Sequence, residues 1–178
     1  MNIKKHIILQ LLLVLLLAAA VLSGCDGSYM HPERALRDFS RQIEQGNFDN
    51  LTLTIYYRDI RSTVRFPFNI EDLVGGGYQY KIFVDGNELE EHIDLLRQIS
   101  ADALIPVAHA PYMDAMLYYV FEANGRKIFG FVPNIECDVS SMFINGVEFL
   151  WDDVFFDVIR PFLSEDELRL WDGPLMPE

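Results

Sequence analysis

Two Asn-Gly pairs restrict the fold of this chain more than any other feature. Asn124-Gly125 and Asn145-Gly146 each lie between two short segments in which apolar residues alternate with others. Asn-Gly is the preferred pair for the type I′ turn of a two-residue hairpin. Strands joined by so short a loop run antiparallel, because parallel strands need a long crossover. The sequence therefore predicts an antiparallel sheet that contains two tight hairpins.

The periodicity of apolar residues predicts the remaining elements. Alternating segments predict strands over residues 51–57, 78–84, 113–123, 126–132, 141–144 and 147–150. Apolar residues at steps of three and four predict helices over 32–45, 87–100 and 152 to about 160, with a last short helix after Ser164. Segment 113–123 is apolar on both faces, which favours a central strand. We expect an α+β fold: an antiparallel sheet of about five or six strands with helices packed on one face.

Three finer expectations concern helix ends. Asn87 stands where a helix N-cap is expected, followed by acids that suit the positive end of the helix dipole. Pro161 should bend or end the helix that begins at 152, because proline lacks the backbone N–H that a helix interior needs. Ser164 and Glu167 have the spacing of a capping box for the last helix.

The first twenty-five residues have the composition of an export signal. Lys4 and Lys5 form a basic start, residues 7–22 are apolar apart from Gln10, and alanines stand near the end of this run. This order of basic, apolar and small residues is typical of a secretory signal peptide. The run is shorter than the roughly 20 apolar residues of a membrane-spanning helix.

The end of this leader resembles a known signal. Leu22-Ser23-Gly24-Cys25 resembles the lipobox of bacterial lipoproteins, and the resemblance covers residues 1–25 only. It implies that residues 1–24 are removed and that Cys25 becomes the first residue, carrying a diacylglycerol thioether and an amino-terminal acyl chain such as palmitate. Two or more acyl chains tether a protein to a bilayer durably. An ordinary cleaved signal peptide with a chance cysteine, or an uncleaved apolar anchor, are the alternatives.

The resemblance also implies a location and a domain organisation. The protein would be held by lipid on the outer side of a bacterial cell membrane, with 25–31 as a short tether and 32–178 as one globular domain. The formal net charge of −13 repels phosphate backbones, so we expect no nucleic-acid partner. Cys137 is the only cysteine besides Cys25, so no internal disulfide forms once Cys25 is modified. We interpret Cys137 as a small apolar filler.

The sequence contains no catalytic signature. There is no nucleophile elbow, no zinc-protease motif, no Cys-x-x-Cys and no phosphate-binding loop. His31, His92 and His109 do not stand at metal-ligand spacing. We therefore predict no catalytic residue, no metal site and no cofactor. The alternative is a small hydrolase or metal-dependent envelope enzyme that uses surface carboxylates such as Asp152 and Asp157.

The one basic cluster in the acidic chain is the candidate ligand site. Arg58, Arg61 and Arg65 follow the first predicted strand, with Asp59 the only acid among them. Guanidinium groups bind carboxylates and phosphates with good geometry. The simpler interpretation is that these arginines offset nearby acids or protect a sheet edge. Our leading hypothesis is a non-enzymatic binding module for a protein or a cell-wall component.

Aromatic residues on the predicted strands offer a second possible contact surface. They are Tyr56, Tyr57, Phe66, Phe68, Tyr78, Tyr80, Tyr118 and Tyr119. An exposed tyrosine face would suit a carbohydrate or a protein. Packing in the core explains the same residues without any ligand.

Overall fold

A computed structural model describes residues 31–59, 68–107, 113–134 and 141–171. Its α-helices are α1 (Pro32–Glu44), α2 (Ile70–Asp72), α3 (Gly86–Glu90), α4 (Ile93–Leu96), α5 (Val154–Asp157) and α6 (Glu165–Trp171). Its strands are β1 (Leu51–Tyr57), β2 (Tyr80–Val84), β3 (Leu117–Ala123), β4 (Arg126–Asn134), β5 (Ser141–Ile144) and β6 (Val147–Leu150). A π-helical turn (Leu73–Gly77) follows α2, and 3-10 turns cover Ala101–Ala103 and Arg160–Phe162. The predicted leader, Cys25 and the predicted tether up to residue 30 lie outside these ranges.

The six strands form one antiparallel sheet in the order β2-β1-β3-β4-β5-β6. The α+β class and the antiparallel sheet predicted from the sequence are confirmed. Strand β3 lies between β1 and β4, as its two apolar faces indicate. Within the described ranges no helix is both long and apolar enough to cross a membrane.

Both Asn-Gly pairs form the predicted hairpin turns. The backbone angle φ is positive at Asn124 (53°) and Gly125 (69°), and again at Asn145 (51°) and Gly146 (80°). Positive φ at both central residues is the signature of a type I′ turn. These turns join β3 to β4 and β5 to β6, so the local sequence determines two of the five strand pairings directly.

Helices α1, α3, α4 and α5 pack on one face of the sheet, which we call the helix side. Its strand residues include Leu53, Ile55, Tyr57, Tyr119, Phe121, Phe129, Phe131, Met142 and Ile144. From α1, Phe39 packs against the rings of Phe121 and Phe129, with centroids 4.7 and 5.2 Å apart. This side holds the larger core, since residues of α1, α3, α4 and α5 are buried against the same strands.

The opposite surface of the sheet, the second face, has a smaller cover. Its strand residues include Thr54, Tyr56, Lys81, Phe83, Tyr118, Val120, Gly130, Val132 and Phe143. Leu73 from the π-helical turn and Ala115 are buried against the middle of it. The backbone of Ala115 donates a hydrogen bond of 2.7 Å to the carbonyl of Phe68, which joins the two covering segments.

The structure corrects the helix predicted over 87–100. It divides into α3 and α4 at His92, whose φ and ψ of −113° and 26° are not helical. The N-cap is Asp85 and not Asn87, because the Asp85 side chain accepts from the N–H groups of Asn87 and Glu88. The helix begins at Gly86, and this position requires a glycine because a Cβ there would lie only 1.9 Å from the carbonyl oxygen of Phe48.

Other predicted boundaries shift by a few residues. Strand β2 begins at Tyr80 and β3 at Leu117, because the chain before each still belongs to the cover of the second face. The helix predicted over 152–160 is the shorter α5, followed by the 3-10 turn that contains Pro161. The predicted capping box is present: the Ser164 N–H donates to the Glu167 side chain, and the Glu167 N–H donates to the Ser164 hydroxyl.

Candidate functional site

Arg58 is the only member of the predicted arginine cluster that the described ranges include, because Arg61 and Arg65 lie outside them. Arg58 directly follows β1, and its N–H donates 2.9 Å to the carbonyl of Met116. Its guanidinium carbon lies 4.3 Å from the centroid of the Phe68 ring. Its Nε is buried without a hydrogen-bond partner. Arg58 therefore presents its charge on the second face, beside an aromatic ring.

Two lysines on the same face also lie over aromatic rings. The Lys81 ammonium on β2 lies 5.1 Å from the ring centroid of Tyr56, the residue opposite it on β1. The Lys127 ammonium on β4 lies 5.7 Å from the ring centroid of Tyr118 on β3. Such contacts hold an ammonium group by attraction to the face of the ring.

The two tyrosines link the lysines into a row across four strands. Tyr56 and Tyr118 stack with their centroids 6.2 Å apart and their planes 20° apart. We call Lys81, Tyr56, Tyr118 and Lys127 the cation row. The three separations along the row limit the distance between the two ammonium groups to about 17 Å.

Gly130 makes the position of the Tyr118 ring possible. A Cβ placed on Gly130 would lie 2.6 Å from Cε2 of Tyr118 and 2.7 Å from its hydroxyl oxygen. Real Cβ atoms do not approach so closely, so the ring needs a glycine beneath it. On the other side of the row, Tyr78 packs edge-on against Tyr56 with centroids 5.4 Å apart.

Two features of its surroundings act on the pKa of Lys127 in opposite directions. Burial lowers the pKa of Lys127, although part of the side chain is exposed, and the Glu122 carboxylate opposes this shift. Glu122 is the residue opposite Lys127 across the β3–β4 pair. An additional carboxylate placed beside Lys127 would stabilise its charged form.

A cavity of about 350 Å³ opens next to Lys127 on the second face. Its apolar lining consists of Ile70, Met113, Val132 and Phe143, and the remaining lining residues are Lys127, Gly130, Asn145 and Gly146. The Asn145 side-chain oxygen accepts from the Gly130 N–H at 3.0 Å, and the Asn145 N–H donates to the Gly130 carbonyl at 2.9 Å. These bonds fix the wall of the cavity where β5 ends.

A polar triplet lies further along the same face. The Ser141 hydroxyl donates to Glu148 at 2.6 Å, and the Asn134 amide donates to the Ser141 hydroxyl at 3.0 Å. Asn134 and Ser141 are 4% and 1% exposed. The Ser141 oxygen is thus closed off from solvent, and the triplet ties three neighbouring strands together.

A second cavity, of about 340 Å³, lies where the end of α1 meets the β3–β4 turn. Its lining is polar throughout: Asp38, Arg41, Gln42, Gln45, Asn47, Asp49, Asn50 and Asn124. Several of these groups already form hydrogen bonds with one another. Arg41 donates to Asp38 at 3.1 Å, and Gln42 donates to the Asn47 carbonyl at 3.0 Å.

The carboxylates considered for an enzyme have local partners. Asp152 accepts from the N–H of Val154 at 3.1 Å, and Asp157 accepts from Nε of Arg160 at 2.7 Å. In the part of the chain that the structure describes, no three histidine, cysteine or acidic side chains gather at metal-binding distances. His92 packs edge-on against Phe162, with centroids 5.1 Å apart. His109 and Cys137 lie outside the described ranges.

The helix arginines differ from the cations of the second face. Each forms an ion pair with an acid three or four residues away: Arg34 with Asp38, Arg37 with Glu33, Arg41 with Asp38, Arg97 with Asp94, Arg160 with Asp157, and Arg169 with Glu165 and Asp166. Arg160 also lies over a ring, that of Phe156. Arg58, Lys81 and Lys127 each lie over an aromatic ring on one face of the sheet, and Glu122 stands opposite Lys127.

The sequence prediction missed the two lysines. Their signal was strand alternation, which places Lys81 and Lys127 on the same face as Tyr56 and Tyr118. Arg58 continues the alternation of β1 onto this face. The tyrosines predicted to form one contact surface lie on opposite faces of the sheet. Tyr57 and Tyr119 are fully buried on the helix side. Tyr56, Tyr78 and Tyr118 pack on the second face.

Comparison with known proteins gives no relative. No family model matches the chain, and neither a curated protein nor a solved structure is significantly similar to it. The functional conclusion therefore depends on the geometry of the second face.

Proposed function

We propose that this protein is a non-enzymatic binding module, tethered by lipid on Cys25 to the outer side of a bacterial membrane, that binds an anionic ligand with its second face. One observation carries the proposal. Arg58, Lys81 and Lys127 lie over aromatic rings on a single face of the sheet, in a chain whose net charge is −13.

A cation held over a ring is well prepared to bind an anion. The ring fixes the position of the charge without neutralising it, so less side-chain freedom is lost when an anion arrives. The acidic remainder of the surface repels anions, which favours binding of a negatively charged ligand at the face that holds these three cations.

The lipid anchor has its own test. Cys25→Ala should abolish incorporation of labelled palmitate and should change the membrane fractionation of the protein, because the thiol that carries the diacylglycerol would be lost. Cys137→Ala is the matched control and should leave labelling unchanged. Labelling that persists in Cys25→Ala would contradict the anchor, though not the ligand site.

The ligand site is tested by crosslinking in intact cells with the full-length lipidated protein as bait. The double variant Lys81→Glu, Lys127→Glu should lose the crosslinked species, because it reverses the charge at both ends of the cation row. The control, Arg97→Glu with Arg169→Glu, changes the net charge equally on the helices and should retain it. Equal crosslinking by both double variants would show that the second face is not the binding surface.

A further inference from the structure

We infer that the ligand is an acidic peptide segment of another protein, which inserts one large apolar side chain into the cavity beside Lys127 and places its carboxylates on the cation row. This inference rests on the proposed function and selects between the protein and the cell-wall ligand. It is drawn from the contrast between the apolar cavity wall and the charged row next to it.

The cavity suits an apolar side chain better than a saccharide. Its volume of about 350 Å³ falls within the range of small-ligand pockets, about 300–1,000 Å³. A saccharide brings many hydroxyl groups, and each costs free energy if it is buried without a partner. Of the polar side chains in the lining, Asn145 already uses its oxygen to hold Gly130. Ile70, Met113, Val132 and Phe143 offer only apolar contacts.

The cation row suits carboxylates at a peptide-like spacing. Lys127 lines the cavity and also lies over Tyr118, so an acid next to the inserted side chain would meet its ammonium group. Lys81 stands at the other end of the row. An extended chain advances about 3.3 Å per residue, so about five residues span a row of at most about 17 Å. An acidic segment of that length can contact both lysines.

The test uses a random dodecapeptide library displayed on phage, selected against the full-length protein in detergent micelles. The inference expects enriched peptides that combine acidic residues with one Trp, Phe or Leu. Synthetic copies should bind Lys127→Glu at least about tenfold more weakly. Arg126→Glu is the matched control, since it changes the same charge on the adjacent residue, which points to the opposite side of the strand, and should bind as the unchanged protein does.

A second variant tests the cavity without altering charge. Met113→Gln keeps the approximate size of a half-buried wall residue and makes it polar, so it should weaken binding several-fold, and less when the peptide's large apolar residue is replaced by Ala. Thermal unfolding of both variants shows whether they remain folded. Peptides that bind Lys127→Glu and Met113→Gln as tightly as the unchanged protein would overturn the inference.

Polygalacturonate, an anionic polysaccharide without apolar side chains, separates the inference from the proposed function. If it binds in a Lys127-dependent way while no peptide is enriched, the peptide inference fails and the anion-binding face stands. If neither probe binds, both fail. If peptides are enriched and polygalacturonate binds at least about tenfold more weakly, the peptide assignment is supported.

Discussion

The two faces of the sheet use the same kinds of residue for different purposes. On the helix side, phenylalanines and tyrosines pack against each other and against helices, away from water. On the second face, tyrosines carry lysines on their rings and border an open cavity. Aromatic side chains thus build a dry core on one side and position charges on the other. The helix side holds the larger hydrophobic core, and the second face combines a smaller core with the cations of the proposed ligand site.

Truncation on the helix side should have the largest effect on stability. Phe121 is fully buried and contacts the rings of Phe39, Tyr119 and Phe129. Phe121→Ala should lower the free energy of unfolding by about 3–5 kcal/mol, because it leaves a cavity that the neighbours cannot fill. Urea unfolding followed by fluorescence measures the change.

Phe83→Ala is the control on the second face. Phe83 lies on the edge strand β2 and is 62% exposed, so its loss should change stability by less than about 0.5 kcal/mol. Comparable losses for Phe121→Ala and Phe83→Ala would mean that an exposed aromatic residue of the second face contributes as much stability as a buried one of the helix side, and the contrast between the faces would fail.

The next effect tests how the cation row is built. Gly130→Ala should destabilise the protein by about 1–3 kcal/mol, because the new Cβ overlaps the buried Tyr118 ring. Gly75→Ala is the matched control, since a Cβ there meets nothing within 4 Å. In a Tyr118→Ala background the cost of Gly130→Ala should nearly vanish. A cost that persists in that background would mean that Tyr118 does not depend on this glycine.

The local parts of this fold were accessible from the sequence. Asn124-Gly125 and Asn145-Gly146 determine their turns through backbone sterics alone. The double apolar alternation of 113–123 indicated that β3 is central. The helix over 32–45 was found with an error of one residue, because its apolar stripe and Pro32 are both local signals.

The rest depended on contacts between distant segments. The placement of β1 between β2 and β3 brings together strands that no tight turn connects, so strand order could not be read from periodicity. The break at His92 likewise has no local breaker residue. Charge clustering in the sequence pointed to Arg58 as part of a candidate site but not to Lys81 and Lys127, because these cations come together only across neighbouring strands.

A buried hydroxyl on the helix side gives a pH-dependent test. The Tyr119 hydroxyl donates 2.8 Å to the carbonyl of Phe155, and burial raises the pKa of this phenol well above its ordinary value near 10. In the unfolded chain the phenol loses its proton near pH 10, but in the fold it does not. The contribution of this buried, protonated phenol to the free energy of unfolding is therefore fully present below about pH 10 and is lost as the pH rises further.

Tyr119→Phe should lower the free energy of unfolding by about 1–2 kcal/mol near neutral pH, because one buried hydrogen bond is lost. Above about pH 10 the free energy of unfolding of this variant should depend less on pH than that of the unchanged protein. Denaturant midpoints measured from pH 7 to 11 check both parts. Tyr80→Phe, at a 48% exposed position, is the control and should change neither. An unaltered alkaline slope in Tyr119→Phe would show that this phenol does not titrate differently on folding.

The smallest expected changes in stability come from two surface cations, one on each side of the sheet. These substitutions separate an effect on ligand binding from an effect on stability. Arg37 pairs with Glu33 at 3.6 Å on the surface of α1, and Lys81 lies over Tyr56 on the second face. Arg37→Ala should cost about 0.3–0.5 kcal/mol of stability, and Lys81→Ala no more than about 1 kcal/mol. Only Lys81→Ala should weaken crosslinking to the ligand. If Arg37→Ala weakens it equally, the ligand responds to net charge and not to the cations that the second face holds in place.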